Sequence, residues 1–201
     1  MTGEPSNLNI PNALTTLRIV MVPFFGVALL HDGGHSTGWR WIAYALFAVA
    51  MVTDKIDGDI ARRHNLVTNF GKIADPIADK AITGMAFVGL AIIYPVMWWI
   101  AVPVLVREWG VTIARLSIAK QVVMPATQSG KVKTMAQALA LGGLVAPFHH
   151  LSGRWDLPGD IVWWVAVVLM AVAVVLTMTS GVEFARDVVR YRRTPDVPAE
   201  A

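Results

Sequence analysis

Four aspartates stand at spacings that could do chemistry. Asp54 and Asp57 are three residues apart, Asp75 and Asp79 are four apart, and both pairs border long apolar runs. Residues three or four apart share a helix face, so each pair presents two carboxylates to one side. The intervening stretch, with Asn65, Thr68, Asn69 and Gly71, can turn the chain and bring the two acidic faces together. Four carboxylates in a partly dry pocket repel one another, and burial disfavours their charge. Divalent cations offset both effects, and a set of oxygen donors suits Mg2+ or Mn2+. Two such ions can clamp a diphosphate and stabilise a departing phosphate. The plain alternative is pairing with Lys55, Arg62, Arg63, Lys72 and Lys80. Against it stands the rule that acids inside a membrane segment mark functional sites.

The neighbours of the acids fit a phosphate ligand. Gly58 follows Asp57 inside the predicted helix, where glycine costs about 1 kcal/mol relative to alanine. A bare backbone there lets a ligand approach, and Ala61 one turn on extends the smooth surface. Arg62 is placed to meet a phosphate with two parallel hydrogen bonds. Small residues also serve helix packing in membranes, which would explain Gly58 and Ala61 if they stood alone.

These residues need helices to hold them, and the chain is rich in apolar segments. Of its 201 residues, 55% are hydrophobic and 15% charged, with a mean hydropathy of +0.55. Soluble chains have about 45–50% apolar and about 25% charged residues. The expected class is an all-α integral membrane protein of one domain over residues 1–190, with a short interfacial N-terminal segment and a disordered tail over 191–201. Six transmembrane helices are expected, at about 13–30, from 41 into the aspartates, 73–94, 98–118, 132–148 and 161–182. Asn12 is the candidate cap of the first, which reads as a retained span rather than a signal peptide. The absence of cysteine excludes disulfides and thiolate chemistry.

Charge sets the orientation. Of 17 Lys and Arg, all but Arg40 and Arg154 fall on the side of the N-terminus, the aspartate loop, the 115–133 loop and the C-terminal tail. The positive-inside rule makes that side cytoplasmic, with both termini and the acids on it. Trp39, Trp41, Trp98, Trp99, Trp155, Trp163 and Trp164 gather at the opposite ends, as interfacial tryptophans do. This topology accounts for the calculated pI near 9.4 without a nucleic-acid partner. His31, His35, His149 and His150 fall in far-side loops and read as solvated; His64 sits in the cytoplasmic loop.

The pattern Asp54-x2-Asp57-Gly58-x2-Ala61-Arg62-x8-Gly71-x3-Asp75-x3-Asp79 resembles the signature of the CDP-alcohol phosphotransferases, with every fixed position filled. That resemblance implies an enzyme that moves a phosphatidyl or similar group from a CDP-linked donor to an alcohol and releases CMP. Carried over by position, Asp54, Asp57 and Asp75 would be metal ligands. Asp79 would be the general base and could also touch a second metal ion. Asp57, Gly58, Ala61, Arg62 and Gly71 would border the CDP group. The resemblance further implies two ions of Mg2+ or Mn2+, a homodimer and a bacterial-type cytoplasmic membrane.

More cations are present than a CDP group requires. Arg107 and Arg115 lie eight apart on the fourth helix, with Glu108 able to orient one of them. Lys131 and Lys133 open the fifth helix in "SGKVKT", which lacks the earlier glycine of a phosphate-binding P-loop. Arg18 lies inside the first helix and is a possible further member. Snorkelling to the interface is the bland reading of such side chains, weakest for Arg107 deep in an apolar run. An acceptor alcohol carrying its own phosphate would use them. The stretches "NIPN", "REW" and "GKVKT" resemble the branch of the family that takes CDP-diacylglycerol and glycerol 3-phosphate. Inositol phosphate, serine and phosphatidylglycerol are the alternative acceptors. A divalent-cation transporter is the alternative from another class, although transporter sites favour the midplane and inverted repeats, and the sequence has neither feature.

Overall fold

The computed structural model describes residues 9–64, 66, 68–118, 128–150 and 156–193. It forms helices α1 (Ile10–Leu30), α2 (Thr37–Arg63), α3 (Asn69–Ile93), α4 (Trp98–Ile118), α5 (Gln128–Val145) and α6 (Asp156–Arg193), with short 3-10 turns after α1, α3 and α5. Among the described residues there is no strand. The all-α expectation and the six helices hold.

Helix boundaries differ from expectation where a cap reaches further out. α1 begins at Ile10 because Asn9 is extended and its side chain accepts the Asn12 N–H. Pro11 suits the first turn, where its missing N–H is not needed. Asn12 therefore lies inside α1, and its side chain bonds to Thr68. α3 begins at Asn69 because Thr68 caps it, Oγ1 accepting from the Gly71 N–H at 3.0 Å. α6 continues to Arg193, past the point where a disordered tail was expected; 194–201 lie outside the described residues.

Four segments are long and apolar enough to cross a membrane: Ile10–Gly34, Phe70–Ile93, Pro95–Ala114 and Asp156–Phe184. α5 offers the shorter apolar stretch Val132–Val145. α2 has the length but ends in Asp54, Lys55, Asp57, Asp59, Arg62 and Arg63, so its apolar part stops short of a full span. Phe24, Val27, Ile92, Val106, Trp164, Val168 and Val175 are exposed, an apolar surface suited to hydrocarbon.

Inside, Phe25, Leu29, Phe47, Ile82, Phe87, Leu90 and Leu141 form the centre. Small side chains such as Ala43, Ala86, Ala140 and Ala166 bring the helices close. A Cβ on Gly143 would stand 2.6 Å from that of Ala166, so α5 and α6 meet at the backbone there.

At the tryptophan end, Arg40 is wholly buried. Its guanidinium donates to the carbonyls of Val145 (2.8 Å), Leu144 (2.5 Å) and Gly34 (3.3 Å). The last carbonyls of a helix lack internal partners and carry its negative dipole end. This cation therefore closes α5 and has a structural task. The remaining charge chemistry gathers at the other end, built from the N-terminal halves of α1, α3 and α5 and the C-terminal halves of α2, α4 and α6.

Candidate active site

The acids are positioned first by α1. Asn9, Asn12, Thr15 and Arg18 recur every three residues and form one polar stripe down an otherwise apolar helix. Asn9 Nδ2 donates to the Leu66 carbonyl at 3.2 Å. Asn12 Nδ2 donates to Thr68 Oγ1 at 3.0 Å. Thr15 Oγ1 donates to Asp75 Oδ1 at 2.6 Å. Arg18 donates from Nη1 to Asp54 Oδ1 at 2.6 Å and from Nη2 to Asp57 Oδ2 at 2.5 Å. The stripe thus holds the end of α2, the connection and the start of α3 against one another.

Among the described residues, Arg18 pairs with the acids rather than with the other cations. Offered as a possible member of the acceptor pocket, it is fully buried and pairs with Asp54 and Asp57. A buried guanidinium needs that compensation, and its planar fork matches two carboxylates.

Asp54, Asp57, Asp75 and Asp79 come together at this end. Asp54 is repelled by Asp79, Asp57 and Asp75, and Asp57 by Asp75. Asp57 is buried; Asp54, Asp75 and Asp79 are half-buried. Four hard carboxylate donors with unbalanced negative charge suit a divalent ion. Among the described residues no three acids converge on one point; Asp54 and Asp57 close on Arg18 instead. The donors are the oxygen type that Mg2+ or Mn2+ takes, but in this arrangement they are not gathered about one point.

Gly58 and Ala61 follow on α2, both half-buried. The Arg62 side chain lies outside the described residues. Gly71 is buried, and a Cβ there would stand 2.9 Å from Asn12 Oδ1 and 3.4 Å from Thr68 Oγ1. Its missing side chain makes room for the Asn12–Thr68 contact, a packing reason separate from any ligand.

The cations assemble around Glu108, which is 5% exposed and so needs its charge met. Its Oε1 accepts from Lys133 Nζ at 2.6 Å and Arg107 Nη1 at 2.8 Å. Its Oε2 accepts from Lys80 Nζ at 2.6 Å. Lys80 also reaches Asp79 Oδ2 at 3.3 Å. Arg107 lies across α6, donating from Nη2 to Ser180 Oγ at 2.8 Å. Gly181 permits this, since a Cβ there would stand 3.0 Å from Arg107 Cγ. Arg107 and Lys133, both expected in the acceptor pocket, thus meet on one carboxylate. The Arg115 and Lys131 side chains lie outside the described residues.

Sequence reasoning missed two residues. Thr15, a threonine in an apolar run, gave no signal except its place in the three-residue stripe. Lys80 was read only as a possible ion-pair partner of the acids, and its bridge to Glu108 needs α3 and α4 side by side.

This end of the bundle thus sets four carboxylates beside three cations, with Asp79 and Lys80 in contact at the boundary. The sequence profile described as CDP-alcohol phosphatidyltransferase matches residues 8–179. A Mycobacterium tuberculosis protein named "Probable phosphatidylglycerophosphate synthase" is 42% identical over 198 residues, covering 96% of this chain and 90% of its own. Proteins of Bacillus subtilis and Escherichia coli, both named "CDP-diacylglycerol--glycerol-3-phosphate 3-phosphatidyltransferase", are 36% and 34% identical. Each match covers 88% of this chain, and respectively 93% and 92% of the relative. Divalent-metal dependence is general in this family. With its motif, its helices and nearly its whole length matched, the chain belongs to the CDP-alcohol phosphatidyltransferase family and is a transferase.

Proposed function

We propose that this chain transfers the phosphatidyl group of CDP-diacylglycerol to sn-glycerol 3-phosphate, giving phosphatidylglycerol phosphate and CMP. The observation that carries the reading is the gathering of Lys80, Arg107 and Lys133 on Glu108, one ammonium away from Asp79. That cluster suits an acceptor with its own phosphate, and the names of the relatives support the same acceptor.

Asp54, Asp57 and Asp75 would hold the Mg2+ or Mn2+, with Asp79 able to share a second ion. When bound, the metal offsets charge on the diphosphate and on departing CMP. The residues of the chain do the rest. Asp79 accepts the proton of the acceptor hydroxyl. The freed oxygen bonds to the β-phosphorus, and the bond from that phosphorus to the bridging oxygen breaks, leaving with CMP. Gly58, Ala61, Arg62 and Gly71 border the CDP group. Arg107, Arg115, Lys131 and Lys133 receive the acceptor phosphate. The acyl chains stay in the bilayer, which the exposed apolar faces of the helices allow. Cytoplasmic placement of this end and of both termini is supported by the Lys and Arg distribution. Homodimerisation is proposed from the family resemblance.

An acceptor screen tests the reading. Purified protein with CDP-diacylglycerol and Mg2+ receives glycerol 3-phosphate, inositol phosphate, serine or phosphatidylglycerol separately, and CMP release is followed. Release with glycerol 3-phosphate alone is expected. Release with another acceptor overturns the acceptor while keeping the chemistry, and no release with any acceptor overturns the function. Asp79→Asn should abolish turnover and leave CDP-lipid binding intact; lost binding in a folded variant would make Asp79 chiefly a metal ligand.

A further inference from the structure

Lys80 and Glu108 have a geometry that the proposed acceptor pocket does not by itself require. Glu108 is a buried carboxylate among residues meant for an anion, where a negative charge opposes the ligand. Its two oxygens gather three cations from three helices: Lys80 from α3, Arg107 from its own α4 and Lys133 from α5. Without it those cations would repel one another and separate. The cluster keeps a net charge of one positive unit from the three cations and two carboxylates, counting Asp79.

Lys80 is the joint. Its one ammonium touches Asp79 Oδ2 at 3.3 Å and Glu108 Oε2 at 2.6 Å. The proposed base and the centre of the cation cluster are therefore within two hydrogen-bond lengths of each other. An alcohol whose phosphate sits a few bonds from its hydroxyl spans that gap.

We propose that Lys80 and Glu108 position the acceptor: Glu108 assembles Lys80, Arg107 and Lys133 into one anion-binding face, and Lys80 ties that face to Asp79. A short phosphate-bearing alcohol docked there arrives with its hydroxyl at the carboxylate. Lys80 contributes both binding and placement. Glu108 acts through those cations, since it touches them and not the anion. This inference rests on glycerol 3-phosphate being the acceptor, and wild-type CMP release with that acceptor checks the premise separately.

The test is steady-state kinetics of Lys80→Met, Lys80→Arg and Glu108→Gln with both substrates varied. Lys80→Met should raise the acceptor KM tenfold or more and leave the CDP-diacylglycerol KM within twofold, with Lys80→Arg recovering most of the loss. Glu108→Gln is isosteric and should lower kcat tenfold or more and raise the acceptor KM as the three cations separate, with the CDP-diacylglycerol KM within twofold. Equal rises in both KM values, or a Glu108→Gln variant with wild-type kcat, overturn the proposal. A second measurement needs no variant. Glycerol 3-phosphate, and not glycerol, should slow labelling of Lys80 and Lys133 by a small amine reagent in the wild-type protein, read by mass spectrometry. Unchanged labelling overturns the proposal equally.

Discussion

Gly71 separates a packing role from a ligand role, and two substitutions distinguish them. In Gly71→Ala the new Cβ would lie 2.9 Å from Asn12 Oδ1, several tenths of an ångström inside ordinary contact. Asn12 must shift, which weakens its bond to Thr68 Oγ1 and disturbs the cap of α3. The lost neutral hydrogen bond is worth about 1 kcal/mol, and overpacking adds about 1–3 kcal/mol. Alanine's helix preference returns about 1 kcal/mol. The net expectation is a loss of about 1–3 kcal/mol. Asn12→Ala alone removes the hydrogen bond and costs about 1 kcal/mol. In the double variant the obstructing oxygen is gone and alanine's preference is realised, so the double should be no less stable than Asn12→Ala. The assay is thermal unfolding in detergent, at about 2–4 °C per kcal/mol for a chain of this size. Additive losses would refute the packing account. A raised CDP-diacylglycerol KM that persists in the double variant would place Gly71 against the donor instead.

Three further substitutions probe the framework. Arg18→Met should destabilise the protein by about 3 kcal/mol in the presence of chelator, since Asp57 keeps a buried charge without its partner; added Mg2+ should recover more stability in this variant than in wild type, and equal recovery would detach Arg18 from the metal site. Thr15→Val keeps the shape and removes the bond to Asp75, a hydrogen bond to a charged group worth about 1.5–3 kcal/mol; metal affinity should fall about tenfold, measured by Mg2+-dependent stabilisation, and an unchanged affinity would show that Asp75 needs no such support. Arg40→Met leaves the Val145 and Leu144 carbonyls unmet and should cost about 3 kcal/mol with both KM values unchanged in the folded fraction; altered KM values would show that the far end communicates with the site.

Local rules were sufficient for much of this. The Asp54–Asp79 pattern, the basic side and the approximate helix spans are one-dimensional signals, and their periodicity survives folding because each lies within one or two helices. The caps were harder. Asn12 has the right chemistry for a cap, but Asn9 stands one turn earlier with Pro11 behind it, and that choice frees Asn12 to reach Thr68. The stripe Asn9, Asn12, Thr15, Arg18 was present in the sequence as a three-residue polar period, yet only the packing of α1 against α2 and α3 shows what it grips. Arg18 looked like a spare cation because its partners are 36 and 39 residues away. Lys80 looked like a neighbour of Asp79 because Glu108, its shorter contact, belongs to another helix.

The two halves of the site solve one electrostatic problem. The donor diphosphate and a phosphate-bearing acceptor are both anions, and bringing them together in a partly dry space is unfavourable. On the proposed reading the aspartate half, with four carboxylates against Arg18, would attract divalent metal, which in turn would attract the diphosphate. The cation half carries Lys80, Arg107 and Lys133 against Glu108 and on the same reading would attract the acceptor phosphate directly. Each half includes one charge of the opposite sign, Arg18 in the first and Glu108 in the second, and both are at most 5% exposed. That internal counter-charge keeps like charges assembled before any ligand arrives, so ligand binding need not supply the whole cost of gathering them. Lys80 lies at the seam and touches one carboxylate of each half. A substitution there should disturb the alignment of the two substrates more than the occupancy of the donor site, which is why its kinetic signature is expected on the acceptor.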